Sequence, residues 1–408
     1  MKATLQHIFS ESFGQYAQGR KLPLKHHKAA QAIARCRTPI MGGHVYICPQ
    51  DHEQHIQYHS CKHRSCPLCN ALPKAQWVSA QKRRMLDCDH YHVIFTLPHE
   101  LLDIWRYNSR WLANQLFQTC RDTLITLLKD NRHLGALPGI LMALHTWGRT
   151  LSLHPHLHCL VTGGGLDAEG QWQTLAYDYL LPIEVVKRLF QGKLLTCLWK
   201  SLQAGELQLP PWQREADIRR LLRKLNDKSW NVRIQERYKH GNGVMLYLAR
   251  YIKGGAINNQ RITSVTPHSV TFHYKDHHDN AHKQLKLRKN QFIDRVLWHV
   301  PETGQHTVRQ YGLYAHHGRA KRNRCRHYLG QDPENTATQP ISWQYFLKQI
   351  GQNDKGNCSQ CGQALLRSYK IGAPRWQDKN SINKWAAPVQ QYVQPNPAPG
   401  FVRIRGPT

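Results

Sequence analysis

LHPHLHCLVTGGG, residues 153–165, is the stretch on which the fold and chemistry of this chain turn. Its histidines, His154, His156 and His158, alternate with Pro155 and Leu157. On an extended backbone all three imidazoles therefore share one face, and the apolar residues share the other. Two imidazoles at i and i+2, with a bulky apolar residue anchoring the strand between them, make a pincer for one divalent ion. An ion held there would polarise a phosphodiester oxygen and steady the charge of an in-line attack. A solvated, His-rich strand edge is the plainer reading in a chain with 27 His, and spacing alone leaves both open. The glycines that follow, Gly163 to Gly165, allow another backbone to approach closely.

The flanking sequence surrounds this strand with others. GILMALHTWG (139–148) and HYHVIFTLPHEL (90–101) read as two further strands, the second ended by Pro98. A long amphipathic helix is expected from Glu100 to about Asp130, and helical periodicity recurs near 183–203 and 213–226. RITSVTPHSVTFHYKD (261–276) reads as a hairpin, and residues 283–326 are basic and mixed in character. From about 376 the chain is rich in Pro, Gln and Asn, which predicts a poorly ordered tail.

VMLYLARYIKG (244–254) has helical spacing, with Val244, Tyr247, Leu248 and Tyr251 on one face and Gly254-Gly255 as a stop. Tyr247 and Tyr251 lie one turn apart, so their hydroxyls can reach the same place in succession. A phenol with a pKa near 10 is a weak nucleophile unless the phosphate is polarised or a base is near. What it offers is a covalent phosphotyrosine link that conserves the energy of the broken bond. Tyr pairs at this spacing are more often packing residues, so the pair acquires weight only beside the histidine strand.

Fifty-six Lys and Arg against 26 Asp and Glu give a formal charge of +30, spread through the chain. Such a field points to a polyanion bound by counterion release. The basic stretch Arg319, Lys321, Arg322, Arg324 and Arg326 is the candidate backbone contact, with a solvated charged face as the alternative. A small-molecule metalloenzyme would leave this charge unexplained. The 408 residues, 40% apolar, suit two or three domains and hold no run of about 18 apolar residues such as a membrane helix needs. No secretory leader is read at the N-terminus, so a cytoplasmic protein is expected.

Twelve Cys in a cytoplasmic protein argue for metal ligation or burial rather than disulfides. CKHRSCPLC supplies Cys61, Cys66 and Cys69, with Cys36, Cys48, His44, His52 and His63 nearby. Cys66-Pro-Leu-Cys69 reads as a zinc knuckle, with Cys48 as its expected partner across the module. The region looks too poor in apolar residues to fold without the ion. Cys358-Ser-Gln-Cys361-Gly resembles half a zinc ribbon, but no second CxxC follows it.

Taken together, CRTPIMGGHVYIC (36–48), SCKHRSCPLC (60–69), HPHLHCLVTGGG (154–165), YLARYIKGGAINNQRI (247–262), VTFHYKD (270–276) and VRQYGLYAHHGR (308–319) resemble the insertion sequence 91 family of transposases. The resemblance spans most of the chain in the family's order. It implies an α+β architecture: a zinc-binding domain at 1–75, an HUH nuclease domain with a central antiparallel sheet at 85–330, and a C-terminal extension at 331–408. It carries His156 and His158 over as ligands of catalytic Mg²⁺ or Mn²⁺, and Tyr247 and Tyr251 as nucleophiles. It also implies structural Zn²⁺ on Cys36, Cys48, Cys61, Cys66 and Cys69. The substrate would be single-stranded or hairpin DNA at element ends, and the setting a prokaryotic nucleoid. Rolling-circle replication initiators share the same chemistry, and a non-catalytic zinc-dependent DNA-binding descendant is the alternative from another class. The family usually has Cys and His where this chain has Asp51 and Ser65, with His52 and His63 close enough to substitute. A third ligand is also needed for the catalytic ion, and no motif in the sequence names it.

Overall fold

The computed structural model describes residues 4–238, 255–276, 279–334, 341–342 and 356–373. The chain opens with α1 (Leu5–Ala17), capped by the Thr4 side chain accepting from the His7 N–H, and α2 (Leu24–Arg35), entered after Pro23. A hairpin, β1 (Gly43–Ile47) and β2 (Gln54–Tyr58), leads to α3 (Ala71–Arg84). Then come β3 (His90–Thr96), α4 (Leu102–Tyr107), α5 (Ser109–Leu128), β4 (Leu137–Trp147), β5 (Leu153–Leu166) and β6 (Trp172–Thr174). Two helices, α6 (Ile183–Gln203) and α7 (Glu215–Asn226), precede β7 (Val232–Tyr238). After it lie β8 (Ile262–Val265), β9 (Ser269–Lys275), β10 (His282–Arg288), α8 (Lys289–Leu297), β11 (Val308–Gly312), α9 (Arg319–Tyr328) and β12 (Leu366–Ile371).

The central sheet is antiparallel throughout, in the order β11-β4-β5-β3-β7, with β6 paired to β5. Strict alternation gives it two different faces. Val93 and Phe95, Ile140 and Met142, and Leu157 and Cys159 point one way and are buried with α5, α6 and α7 through Phe117, Phe190 and Leu222. Burying one such side chain stabilises the fold by about 1.5–3 kcal/mol. The other face carries Leu141, Ala143 and Leu160, packed with Tyr314 and Cys325, and beyond them the histidines. At the far end of β5 the glycines do what their size allows. A Cβ on Gly164 would stand 2.3 Å from the Trp172 ring, and one on Gly165 would stand 2.5 Å from the Leu137 carbonyl oxygen.

Three expectations change. The helix foreseen from Glu100 to Asp130 is broken at Asn108, which leaves helical geometry and ties its amide to the backbone of Ile104 and Gln208. The N-terminal region is more than a thin metal-held module. Phe9, Phe13 and Ile33 from α1 and α2 share a core with Phe272, Phe292 and Ile293 of β9 and α8. The Tyr16 hydroxyl adds a 2.5 Å hydrogen bond to Asp294. Finally, β12, which falls in the expected C-terminal extension, pairs with β1 in a sheet of order β12-β1-β2, so Leu366–Ile371 joins the N-terminal hairpin. Among the described residues, no helix is long and apolar enough to cross a membrane.

Candidate metal centres

The strand register determines the histidine site. His156 on β5 lies directly opposite His145 on β4, and His158 opposite Ala143, so His145, His156 and His158 project from the same face. Their ligand atoms all fall within 4.8 Å of one another. The two Nε2 atoms of His156 and His158 are 3.0 Å apart. That is the spacing of two ligands at right angles around an ion about 2.1 Å from each.

The second nitrogen of each imidazole is already committed. His156 Nδ1 donates to the His154 carbonyl oxygen at 2.6 Å, and His158 Nδ1 lies 2.9 Å from His92 Nε2. With protons on both Nδ1 atoms, the Nε2 lone pairs face each other, an arrangement a cation relieves. Burial, reinforced by His145, lowers His156 to about 3 and holds His158 well below its ordinary value. Burial likewise lowers His92 to about 4. The imidazoles are therefore neutral near pH 7, the form that binds metal.

His145 and His92 were not singled out by sequence reasoning. A signal for His145 existed: folding 139–148 and 153–165 into a hairpin sets position 145 against 156. His92 had only its place on a neighbouring strand. His154 is half-buried, with its ring beside His99 and His156, and lies outside the cluster of converging ligand atoms. Tyr247 and Tyr251 lie outside the described residues.

The cysteines separate into two sets. Cys36, Cys61, Cys66 and Cys69 converge, with Cys69 Sγ 3.3 Å from both Cys36 and Cys61. Hydrogen bonds from the Cys61 and Cys66 thiols hold Cys69 far below a normal thiol. Cys48, the expected partner of Cys66 and Cys69, is not in this set. It lies instead with His52, Cys358 and Cys361. Strand pairing explains the correction, because β1 ends with Ile47 opposite Leu366, which sets Cys48 beside the Cys358–Cys361 turn that leads into β12.

The basic stretch also divides. Arg319, Lys321 and Arg324 are exposed on α9. Arg322, expected to face DNA, is 1% exposed. Its guanidinium binds Glu334 at 2.7 Å and the carbonyls of Leu313 and Ala315 at 3.0 Å. Arg326 donates to the carbonyls of Arg83, Met85 and Asp332, which ties α9 to the end of α3. These two arginines hold the fold together. Between the zinc module and the histidine face runs a cleft of about 1440 Å³, lined among others by Arg37, Lys62, Arg64, Trp77, His145 and Trp147.

Comparison with known proteins bears on both ends of the chain. Residues 8–97 match a family described as "Transposase zinc-binding domain", and residues 139–323 match one described as "Putative transposase". The chain is 34% identical over 376 residues to "Putative transposase y4qJ" of Sinorhizobium fredii, covering 89% of this chain and 94% of that one. It is 32% identical over 374 residues to "Transposase for insertion sequence element IS801" of Pseudomonas savastanoi pv. phaseolicola, covering 88% and 87%. No solved structure matches it.

Proposed function

Because this chain belongs to the insertion sequence 91 family of transposases, we propose that it cuts and rejoins single strands of DNA at the histidine face, with Tyr247 and Tyr251 as successive nucleophiles. The observation that carries this reading is the convergence of three imidazoles, His145, His156 and His158, on one point of a rigid sheet. They suit Mg²⁺ or Mn²⁺, with His145 as the third ligand; the ion would supply Lewis-acid stabilisation of charge on the scissile phosphate.

The protein's own groups do the rest. His92 and the His154 carbonyl fix the tautomers of His158 and His156, so both Nε2 atoms stay turned to the site. The phenol oxygen of one tyrosine attacks phosphorus, its proton passes to solvent, and the 3′ oxygen of the cut strand leaves. The 5′ end stays on the tyrosine as a phosphodiester. Attack by a 3′-hydroxyl of the receiving strand reverses the step and frees the phenol, so no nucleotide cofactor is consumed. A second tyrosine allows one end to be held while the other is exchanged.

The cleft beside His145 suits a strand whose bases are unpaired. Arg37, Lys62 and Arg64 meet its phosphates, and Trp77 and Trp147 offer stacking faces. Arg319, Lys321 and Arg324 extend the basic surface. Cys36, Cys61, Cys66 and Cys69 would hold a structural zinc ion, since four converging sulfurs supply the full ligand set such a site takes.

The decisive experiment incubates the full chain with labelled single-stranded oligonucleotides from the element ends and Mg²⁺ or Mn²⁺. A covalent adduct should form, and peptide mapping should place a 5′-phosphate on Tyr247, Tyr251 or both. Tyr247→Phe and Tyr251→Phe should each lose transposition yet still form an adduct through the remaining tyrosine, and the double variant should form none. An adduct mapped to serine would overturn the mechanism.

A further inference from the structure

Cys358 and Cys361 lie beyond both matched regions, more than 300 positions from Cys48. We propose that Cys48, His52, Cys358 and Cys361 bind a second zinc ion, which clasps the C-terminal arm onto the N-terminal module. The four ligand atoms fall within 4.8 Å of one another. Cys48 Sγ is 3.5 Å from Cys361 Sγ and 3.8 Å from His52 Nδ1, and Cys358 Sγ is 3.9 Å from the same nitrogen. A tetrahedral zinc with Zn–S of about 2.3 Å and Zn–N of about 2.1 Å has edges of roughly 3.6–3.8 Å, which these separations bracket.

The backbone is also built for the ion. In each half the N–H two residues past the first cysteine points at its sulfur, Gln50 to Cys48 and Gln360 to Cys358, both at 3.4 Å. The first cysteine of each half donates its own N–H to the carbonyl five residues on, Cys48 to Glu53 at 3.0 Å and Cys358 to Gln363 at 2.8 Å. Each turn then passes through the left-handed region, at Asp51 (φ 56°) and Gly362 (φ 73°). Two knuckles of the same construction thus face one another, and the Glu53 carboxylate locks them by accepting from the N–H and hydroxyl of Ser359 at 2.6 and 2.8 Å. The Cys61 turn repeats the motif, with the His63 N–H 3.4 Å from the Cys61 sulfur.

Little apolar surface would hold the arm otherwise. The buried set here is Cys48, Cys358 and Leu365, while Leu366 and Tyr369 of β12 stand exposed. Three sulfurs and one imidazole select zinc over Mg²⁺ or Mn²⁺, so the ion supplies the stability that packing does not.

The proposal is independent of the tyrosine chemistry, and metal counting tests it. Native mass spectrometry of the full chain should find two zinc ions per molecule, and one in Cys358→Ser/Cys361→Ser. Because His52 is exposed, His52→Ala opens no core and should also lower the count or hasten loss of one ion to a chelator. Cys361→His, which keeps a donor, should retain two. A wild-type count of one or none, or two ions persisting in the double cysteine variant, would overturn the clasp.

Discussion

His145, His156 and His158 come from two adjacent strands joined by a short turn at 148–152, whereas Cys48 and Cys361 are 313 residues apart. The histidine strands are paired without interruption between β3 and β5 and, between two register shifts, from Ile140 to His145 of β4, over a face of buried Phe, Leu and Val, so their geometry should exist before any ion arrives. The Cys48 cluster has few apolar neighbours of its own, so its geometry should depend on the ion it gathers, whereas Cys36 and Cys66 of the other set are buried in the core that α1 and α2 share with α8. Metal should therefore be needed for chemistry in the first region and for structure in the second.

The comparison is most directly broken by exchanging the roles. His158→Ala should cut DNA cleavage by at least about a thousandfold, since a metal's charge stabilisation is worth several kcal/mol. Its melting temperature should move by only a few degrees. Cys66→Ser should do the reverse, releasing one zinc and destabilising the N-terminal module by about 3 kcal/mol or more. Cleavage assays paired with calorimetry distinguish the two. A His158 variant that melts early with its cleavage intact would show that the histidines are structural.

Arg322 and Arg324 sharpen the same contrast at smaller scale. Arg322→Ala leaves the buried Glu334 carboxylate with only its longer 3.9 Å ion pair to Arg84 and should cost about 3 kcal/mol, read by urea unfolding. Arg324→Ala should leave stability unchanged and reduce the salt slope of DNA binding by about one. Equal salt slopes in both variants would contradict the division of α9 into a buried and a DNA-facing side.

Acid offers a graded test away from the metal sets. Burial lowers His90 and His299 from 6.5 to about 4 each. The unfolded chain therefore takes up protons below about 6.5 that the folded chain refuses until about 4. Stability is complete above that window and falls as pH drops through it, by about 2–3 kcal/mol per residue at most. Urea midpoints at pH 7 and pH 5 should differ, and less so in His90→Gln/His299→Gln. A pH-independent midpoint in the wild type would refute the buried neutral state.

Much of the fold was legible where the information is local. The α6 helix spans Ile183–Gln203 as its periodicity predicts, after Pro182, and the alternation of 153–165 places its histidines on one face. What escaped was non-local. His145 joins the histidine cluster only through its register with His156, and the Cys358 knuckle finds its other half across most of the chain. The first could be read only by folding 139–148 and 153–165 into a hairpin, and the second leaves no spacing to read along the sequence. Arg322 escaped for another reason: a run of like charges describes composition, while the helix angle decides which member turns inward to Glu334.

The register of β4 against β5 also bears on how such a chain can diverge. Substitutions along β4 alter packing by degrees, but one residue inserted between Gly139 and His145 would flip His145 to the face occupied by Met142 and Leu144. Length changes fit more easily in the turns at 167–171 and 301–305. Descent in this lineage should therefore tolerate spelling changes in the histidine hairpin while forbidding changes in its count, and a copy with a single-codon insertion there would be a silent fossil with every motif residue still in place.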